Sequence, residues 1–204
     1  MSWAALVAVA IGVGPLDAQS NNFDLSVFGG TTQFLADDPA RMIVDIDDSE
    51  EDLLIEDGTL EDPLHLGFTV GFRLSEHWAA EGMFAWAPST LSAVNLEEDL
   101  EVDFLRYSLG ARFDAPGGER MRWLLGLGMG WETFEYALES ADPDVHFAAN
   151  ALAGATVRLF YDVWLRLDAR EWFSRLNGND EMSAEWESDL MLSTGLSWGL
   201  PLDR

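Results

Sequence analysis

The sequence predicts an all-β fold, an eight-stranded antiparallel up-and-down transmembrane β-barrel. Apolar residues alternate with small or polar ones at period two in several stretches, as in β-strands that have one apolar face. No apolar run reaches the roughly 18 residues that a membrane-spanning helix needs, so any membrane crossing has to be made by strands. The connections between these stretches alternate between long, acidic ones and short ones, which is typical of an up-and-down meander.

The clearest alternation lies at 64–86, LHLGFTVGFRLSEHWAAEGMFAW. Apolar side chains occupy every second position from Leu64 to Leu74, and the alternation resumes after the turn Ser75-Glu76-His77. Trp78 and Trp86 bracket the second strand on its apolar face. Eight residues of a strand tilted by about 40° separate the two indoles by about 20 Å along a membrane normal, close to the height of an outer-membrane apolar band. The stretch therefore predicts a transmembrane hairpin.

The other six strands follow the same pattern around this hairpin. They are predicted at 23–28, 105–113, 121–132, 147–159, 163–170 and 190–200. Long loops are expected at 36–63, 88–101, 137–145 and 174–184, and short turns join strands two and three, four and five, and six and seven. In a closed barrel all long connections then leave one rim and all short ones leave the other, as in bacterial outer-membrane barrels.

The amino-acid composition of the chain limits the kinds of partner and site that it can have. The formal charge is −26, from 37 acidic residues against 11 basic ones, and every basic residue is Arg. Nucleic acid is therefore not an expected partner. The absence of cysteine rules out a disulfide scaffold and a thiolate metal site.

Residues 1–18 are interpreted as a secretory signal peptide and residues 19–204 as the outer-membrane barrel domain. The apolar run Trp3–Val13 is followed by a Gly14-Pro15 break, and cleavage is expected after Ala18. No basic residue precedes the run, which is unusual for such a segment. The alternative, a membrane anchor, conflicts with the shortness of the run.

A soluble barrel of lipocalin type is the other fold with this pattern, and it would place the apolar faces inside. Its outer surface would then be the Gly-, Ser- and Thr-rich face, whereas soluble surfaces are usually covered by long charged side chains. The aromatic residues lie near strand ends, as membrane-interface girdles do. The interface tryptophans are Trp78, Trp86, Trp123, Trp131 and Trp198.

The chain resembles the small outer-membrane β-barrel family typified by OmpX and by the transmembrane domain of OmpA. The resemblance rests on the hairpin at 64–86, on FLRYSLGARFD at 104–114 and on LMLSTGLSWGL at 190–200, and it covers 23–200. It implies an outer-membrane location in a Gram-negative bacterium, contact with outer-membrane lipids and lipopolysaccharide, insertion by the barrel-assembly machinery, and a monomer. Two departures are the end Pro201-Leu202-Asp203-Arg204, where the family commonly has a terminal aromatic residue, and the lack of a following second domain.

Charged residues fall on the face predicted to line the lumen. We expect an ion-pair network there, formed by Arg73, Glu81, Arg106, Arg112, Glu132, Arg158, Arg166, Asp168, Arg170 and Asp189. Arg122 shares this face. A narrow barrel needs its interior filled, so an ion-paired filling is the favoured interpretation. The alternative is a path or site for anions.

The first long loop contains twelve carboxylates against Arg41 alone. Asp45, Asp47, Ser49 and Glu56 stand at positions one, three, five and twelve of a calcium-loop count, but Glu50 occupies the position where that motif requires Gly. The pattern predicts at most a loosely bound divalent cation and no other cofactor. A solvated acidic loop is the simpler interpretation.

No motif joins His65, His77 or His146 to a serine at a telling spacing, so no catalytic residue is predicted and the chain is not expected to be an enzyme. The predicted function is a structural or surface-interaction role with a narrow ion-paired lumen and acidic external loops. The alternative is passage or binding of small hydrophobic or anionic solutes, in the manner of a porin or of OmpW. A lipid A-modifying barrel enzyme is the third hypothesis.

Overall fold

The fold was analysed in a computed structural model. The structure describes residues 22–34, 40–44, 53–92, 99–137, 143–175 and 186–201. Ten strands occur in this part of the chain: β1 Asn22–Phe34, β2 Ala40–Val44, β3 Leu53–Leu60, β4 Leu64–Arg73, β5 Trp78–Ser92, β6 Leu100–Pro116, β7 Met121–Tyr136, β8 Asp144–Phe160, β9 Val163–Arg175 and β10 Trp186–Pro201. The described residues contain no helix of the length and hydropathy that could cross a membrane.

Eight of the strands close into an antiparallel barrel in the order β1-β4-β5-β6-β7-β8-β9-β10, with β10 paired back to β1. The predicted fold class is confirmed. The paired residues can be followed from strand to strand once around the barrel. Starting from Asp189 on β10, this path returns to β10 at Gly199, ten residues further along. A shift of ten residues over eight strands corresponds to a strand tilt of about 40°. The interior of such a barrel is just wide enough to be filled by side chains.

The first long connection differs from the sequence prediction, which treated 36–63 as a loop. It contains β2 and β3, which pair with each other through Met42–Ile55, Ile43–Leu54 and Val44–Leu53. Strand β3 also pairs with β5 at Thr59–Ser92 and Leu60–Leu91. These two segments are rich in Leu, Ile and Val, which favour strands, and this local preference was hidden by the acidic residues around them.

The β4–β5 ladder is interrupted where this hairpin meets the barrel. Pairing of β4 with β5 ends at Leu66–Trp86 and resumes on β3 at Leu60–Leu91. Pro88 lies on β5 within the gap, where its missing N–H costs no ladder hydrogen bond. Ser89 bridges the gap by donating from its hydroxyl to the Glu61 carbonyl at 2.8 Å.

Burial alternates along the strands as the sequence predicted. Outward apolar side chains are exposed, with Leu127 at 73% and Leu109 at 64%, whereas the inward residues between them are buried or half-buried. Two aromatic bands flank this surface. Near the long connections Trp131 lies 5.8 Å from Tyr107 and 6.4 Å from Phe147, measured between ring centroids. Near the short turns Trp78 lies 5.1 Å from Phe113. An exposed apolar band between two aromatic girdles is typical of transmembrane barrels.

The three short turns lie at 74–77, 117–120 and 161–162. Gly118 has a φ of 121°, a conformation that residues with a Cβ rarely adopt. Tyr161 has a φ of 44°, so the tight β8–β9 turn holds a bulky residue in the left-handed region.

Candidate functional site

The inward faces of the strands bring most of the predicted lumen residues together in two groups. The first, the inner network, lies in the half of the lumen nearer the short turns and consists of Asp24, Glu81, Arg112, Asp114, Arg166, Asp168 and Arg170. The second, the outer cluster, lies nearer the long connections and consists of Arg106, Glu132 and Asp189.

Glu81 is the centre of the inner network. Its carboxylate accepts from Arg112 at 2.6 Å, from Arg166 at 2.9 Å and from Arg170 at 2.7 Å. Arg166 and Arg170 project from β9, which stands opposite β5 in the ring of eight strands, so their side chains cross the lumen to reach Glu81. Because these charges are buried, they are stable only when each is paired and hydrogen-bonded.

Every arginine of the inner network also has a second acceptor. Arg112 donates to Asp24 at 2.8 Å and to Asp114 at 2.7 Å. Arg166 donates to Asp168 at 2.7 Å, and Arg170 donates to the side-chain carbonyl of Asn150 at 2.8 Å. The network is therefore redundant, since loss of one carboxylate leaves each guanidinium with a partner.

Two glycines make room for these carboxylates. A Cβ at Gly71 would lie 2.4 Å from an Asp24 carboxylate oxygen, and one at Gly154 would lie 2.6 Å from an Asp168 oxygen. Any larger residue would force these acids to move, so the glycines of the inward face are spacers for charged side chains.

The outer cluster is built around the Arg106 guanidinium. The Arg106 guanidinium donates through Nε to Glu132 and through one terminal nitrogen to Asp189. The same guanidinium lies 5.6 Å from the Trp172 ring and 6.0 Å from the Phe104 ring, so aromatic faces replace water around it. One Glu132 oxygen, Oε2, is buried without a hydrogen-bond partner.

An apolar layer separates the two groups. It is built from Phe28, Met83, Ala85, Ala148, Trp172 and Met191, all of them buried. On β5 this layer begins two residues above Glu81, and on β10 it begins two residues below Asp189. Because it joins side chains from five strands, the layer fills the lumen between the charged groups.

Two members of the predicted network are placed differently. Arg73 is partly exposed at the short-turn end and reaches Asp114 at 3.4 Å. Arg158 is exposed at the end of β8 and donates from Nε to the Tyr161 carbonyl at 2.7 Å. The structure does not bring Arg158 into the network because this residue lies at the rim, beyond the reach of the lumen carboxylates.

Sequence reasoning missed four lumen residues. Two of them, Asp24 and Asp114, are carboxylates of the inner network. The other two are Trp164 and Trp172, which lie at inward positions of β9. All four continue the period-two pattern of their strands, and Asp114 follows Arg112 at the inward spacing. Asp24 and Trp164 lie inside predicted strands, and extending two other strand ends by one or two residues in the same register would have found Asp114 and Trp172.

A histidine and a serine meet on the inward face. His65 shares hydrogen bonds with the Ser193 hydroxyl through Nε2 at 2.9 Å and with the Thr32 hydroxyl through Nδ1 at 3.3 Å. In a hydrolytic triad a carboxylate orients the histidine, but here a hydroxyl occupies that position. The buried group satisfies the polar atoms of His65 and lacks the acid of a nucleophilic site.

The predicted cation site falls mostly outside the described residues. Asp45, Asp47 and Ser49 lie there, and Glu56 belongs to β3. Within the described part of the chain no three His, Asp or Glu side chains are grouped as a metal site requires.

The predicted interface tryptophans face outward. Trp78, Trp86, Trp123 and Trp131 are exposed by 50%, 39%, 52% and 48%, and Trp198 is half-buried. Trp78, Trp123 and Trp198 belong to the short-turn end, whereas Trp86 and Trp131 lie nearer the long connections.

Closed eight-stranded barrels with an exposed apolar belt and two aromatic girdles are small outer-membrane β-barrels, and the chain has this fold. Solved structures of this kind match it along most of its length. Neisserial surface protein A is 10% identical, with a TM-score of 0.54, and the match covers 87% of this chain and 96% of that one. Outer membrane protein OprG from Pseudomonas aeruginosa is 14% identical, with a TM-score of 0.56, and the match covers 90% and 98%. Outer membrane protein AlkL, solved in lipid bilayers, is 14% identical, with a TM-score of 0.50, and the match covers 91% and 92%.

These identities are low enough that the likeness establishes the fold alone. No protein-family model matches the chain, and no curated protein sequence does. OprG and AlkL are outer membrane proteins, so the fold of this chain is one that outer membrane proteins have.

Proposed function

We propose that this protein is a small integral outer-membrane barrel with a structural or surface-interaction role and a lumen that does not conduct. The observation that carries the proposal is the crossing of the lumen by Arg166 and Arg170 to reach Glu81 on the opposite wall. Above this crossing lie the apolar layer and the outer cluster, so the described side chains leave no continuous polar path along the lumen axis.

The surface role is supported by where the acidic residues lie. The first long connection contains twelve carboxylates, whereas the short turns carry only a few charges. In barrels of this class the long connections face the outside and the short turns face the periplasm. The protein would therefore present a strongly negative surface on an inert membrane anchor, and it needs no catalytic group for this.

A planar-bilayer recording tests the closed lumen. Purified, refolded protein should insert without steady current at either polarity, while a large porin added to the same bilayer should conduct and so serve as the positive control. Insertion is checked by recovering the protein from vesicles in a form that shifts on gels when boiled. Stable single-channel openings from the pure wild-type protein would contradict the proposal.

The interrupted β4–β5 ladder favours a second candidate function, the binding or passage of small hydrophobic solutes. An apolar groove of about 1380 Å³ runs along the outward face and ends beside this gap, at Leu64, Leu66, Trp86 and Pro88. His65 and Ser193 lie on the inner side of the same wall and also border the groove. A hydrophobic molecule in the membrane could reach the barrel wall where its hydrogen bonding is weakest.

Closing the gap distinguishes the two candidates. Pro88→Val restores a backbone N–H to β5 and a strand-forming side chain. If hydrophobic solutes pass here, the variant should slow uptake of a lipophilic fluorescent probe into vesicles. Ala87→Val, on the inward face one residue away, controls for the added side-chain bulk. Equal uptake with wild type, with Pro88→Val and with empty vesicles would remove this candidate.

A further inference from the structure

The short-turn mouth of the lumen carries cations that the inner network does not use. Arg73 on β4, Arg122 on β7 and Arg158 on β8 occupy inward positions at this end, and Trp164 on β9 stands beside them. Arg122 is paired with Thr156 on β8, two residues before Arg158, so the last two arginines lie on neighbouring strands at nearly the same height. We name Arg122, Arg158 and Trp164 the mouth site.

Both arginines of the mouth site are positioned by one indole. The guanidinium carbon of Arg122 lies 4.6 Å from the Trp164 ring centroid, and that of Arg158 lies 6.0 Å away. A second contact fixes Arg158, whose Nε donates to the Tyr161 carbonyl at 2.7 Å. Its backbone N–H donates to the Arg120 carbonyl at 2.8 Å, which ties the neighbouring turn to the same place. Among the described residues the terminal nitrogens of Arg158 have no acceptor.

The carboxylates nearest the mouth already form salt bridges with other arginines. Asp24 and Asp114 bind Arg112 at 2.8 and 2.7 Å, and Arg73 shares Asp114 at 3.4 Å. Among the described residues no carboxylate lies within salt-bridge distance of Arg122 or Arg158. Glu119 and Asp162 lie on the adjacent turns and are exposed to solvent. Two guanidiniums that share one aromatic ring without a salt bridge to a carboxylate repel each other, and an anion between them would remove that repulsion.

We propose that the mouth site binds an oxyanion of the phosphate class at the periplasmic end of the barrel. Guanidinium groups pair with phosphate through two parallel N–H donors each, and two such groups match a doubly charged tetrahedral anion better than a single carboxylate. The anion could be a soluble phosphate compound or the headgroup of an inner-leaflet phospholipid, and both share this chemistry. The inference is independent of the closed lumen, because the site lies below the inner network at the aqueous end.

Inorganic phosphate is the probe for the test. The full chain is refolded into nanodiscs of zwitterionic lipid, and phosphate binding is measured by titration calorimetry at constant ionic strength. We expect saturable binding in the wild type, weakened by about tenfold or more in Arg122→Gln and in Arg158→Gln, since each variant loses charged hydrogen bonds. Arg120→Gln is the matched control. It removes the same charge from an exposed turn position beside the site and should change the affinity less than twofold.

A second lipid composition identifies the source of the anion. If soluble phosphate is the occupant, its affinity should be unchanged when phosphatidylglycerol is added to the discs. If a headgroup is the occupant, phosphatidylglycerol should compete and lower the apparent affinity in the wild type. Absence of saturable phosphate binding in both kinds of disc would overturn the proposal, as would an equal loss in Arg120→Gln, which would indicate only general charge attraction.

The folding of the variants is checked by the boiling-dependent gel shift. Arg158 is exposed, so Arg158→Gln is expected to fold even if Arg122→Gln does not.

Discussion

The inner network and the outer cluster solve the same problem, the burial of charge in a narrow lumen, in different ways. In the inner network each arginine has at least two acceptors, and Glu81 is shared by three arginines. In the outer cluster one arginine, Arg106, donates to two carboxylates, Glu132 and Asp189. The number of alternative partners that each buried charge has, and not the number of ion pairs, should therefore determine how much each charged residue contributes to the free energy of unfolding.

The balance of charge differs as well. With Arg73 included, the inner network sets four guanidiniums against the four carboxylates of Asp24, Glu81, Asp114 and Asp168. In the outer cluster the described residues place one guanidinium, that of Arg106, beside two carboxylates and next to the aromatic rings of Phe104 and Trp172. The outer cluster therefore depends on the Arg106 guanidinium, and the inner network depends on the Glu81 carboxylate that three arginines share.

The largest effect is expected for Arg106→Met. The change leaves Glu132 and Asp189 close together in a buried space without the guanidinium that holds them, at a cost of about 4–5 kcal/mol. Urea unfolding in lipid vesicles, followed by tryptophan fluorescence, measures this loss. Arg120→Gln on an exposed turn is the control and should change the free energy of unfolding by less than about 0.5 kcal/mol. A cost for Arg106→Met below that of Glu81→Gln would contradict the dependence of the outer cluster on one cation.

A smaller loss, about 3 kcal/mol, is expected for Glu81→Gln. The amide keeps the shape of the side chain but removes the charge shared by Arg112, Arg166 and Arg170, each of which retains another acceptor. Glu76→Gln, in the exposed β4–β5 turn, is the matched control for loss of a carboxylate. If Glu81→Gln unfolds as easily as Arg106→Met, the second acceptors contribute little and the inner network is not redundant.

Much of this arrangement could be predicted from the sequence. The period-two pattern predicted the eight barrel strands and placed Arg106, Arg112, Arg166 and Arg170 on the inward face, because burial on one side of a strand leaves a direct mark on composition. Counting residues up from the short turns also places Glu81 on β5 level with Arg166 on β9, and the structure pairs these two side chains. Faces and strand order are local properties, so one sequence is enough to predict them.

The contacts between strands were harder to predict. Counting from the short turns places Arg106 level with Arg170, yet Arg106 contacts Glu132 and Asp189 while Arg170 contacts Glu81 and Asn150. The paired rows climb ten residues per circuit, so residues at equal distance from a turn need not lie at equal height. This stagger depends on pairing between distant segments, which the period-two pattern does not specify. The β2–β3 pairing was missed for a different reason, because the acidic residues around these two segments favoured a loop.

The smallest effect is expected for Glu132→Gln, and it gives the sharpest comparison with Glu81→Gln because both replace a buried glutamate by its amide. The Glu132 Oε1 position accepts from Arg106, and an amide oxygen can take over that bond. Oε2 has no hydrogen-bond partner, so its replacement by an amide nitrogen loses no existing bond. The variant also removes one of the two negative charges that lie beside the Arg106 guanidinium. The buried amide N–H groups impose a desolvation cost of similar size, so we expect the free energy of unfolding to change by less than about 1 kcal/mol. The measurement is the same urea titration, run beside Glu81→Gln. A loss for Glu132→Gln as large as that for Glu81→Gln would mean that the outer cluster needs both of its carboxylates and that its charge is balanced by a group other than Arg106.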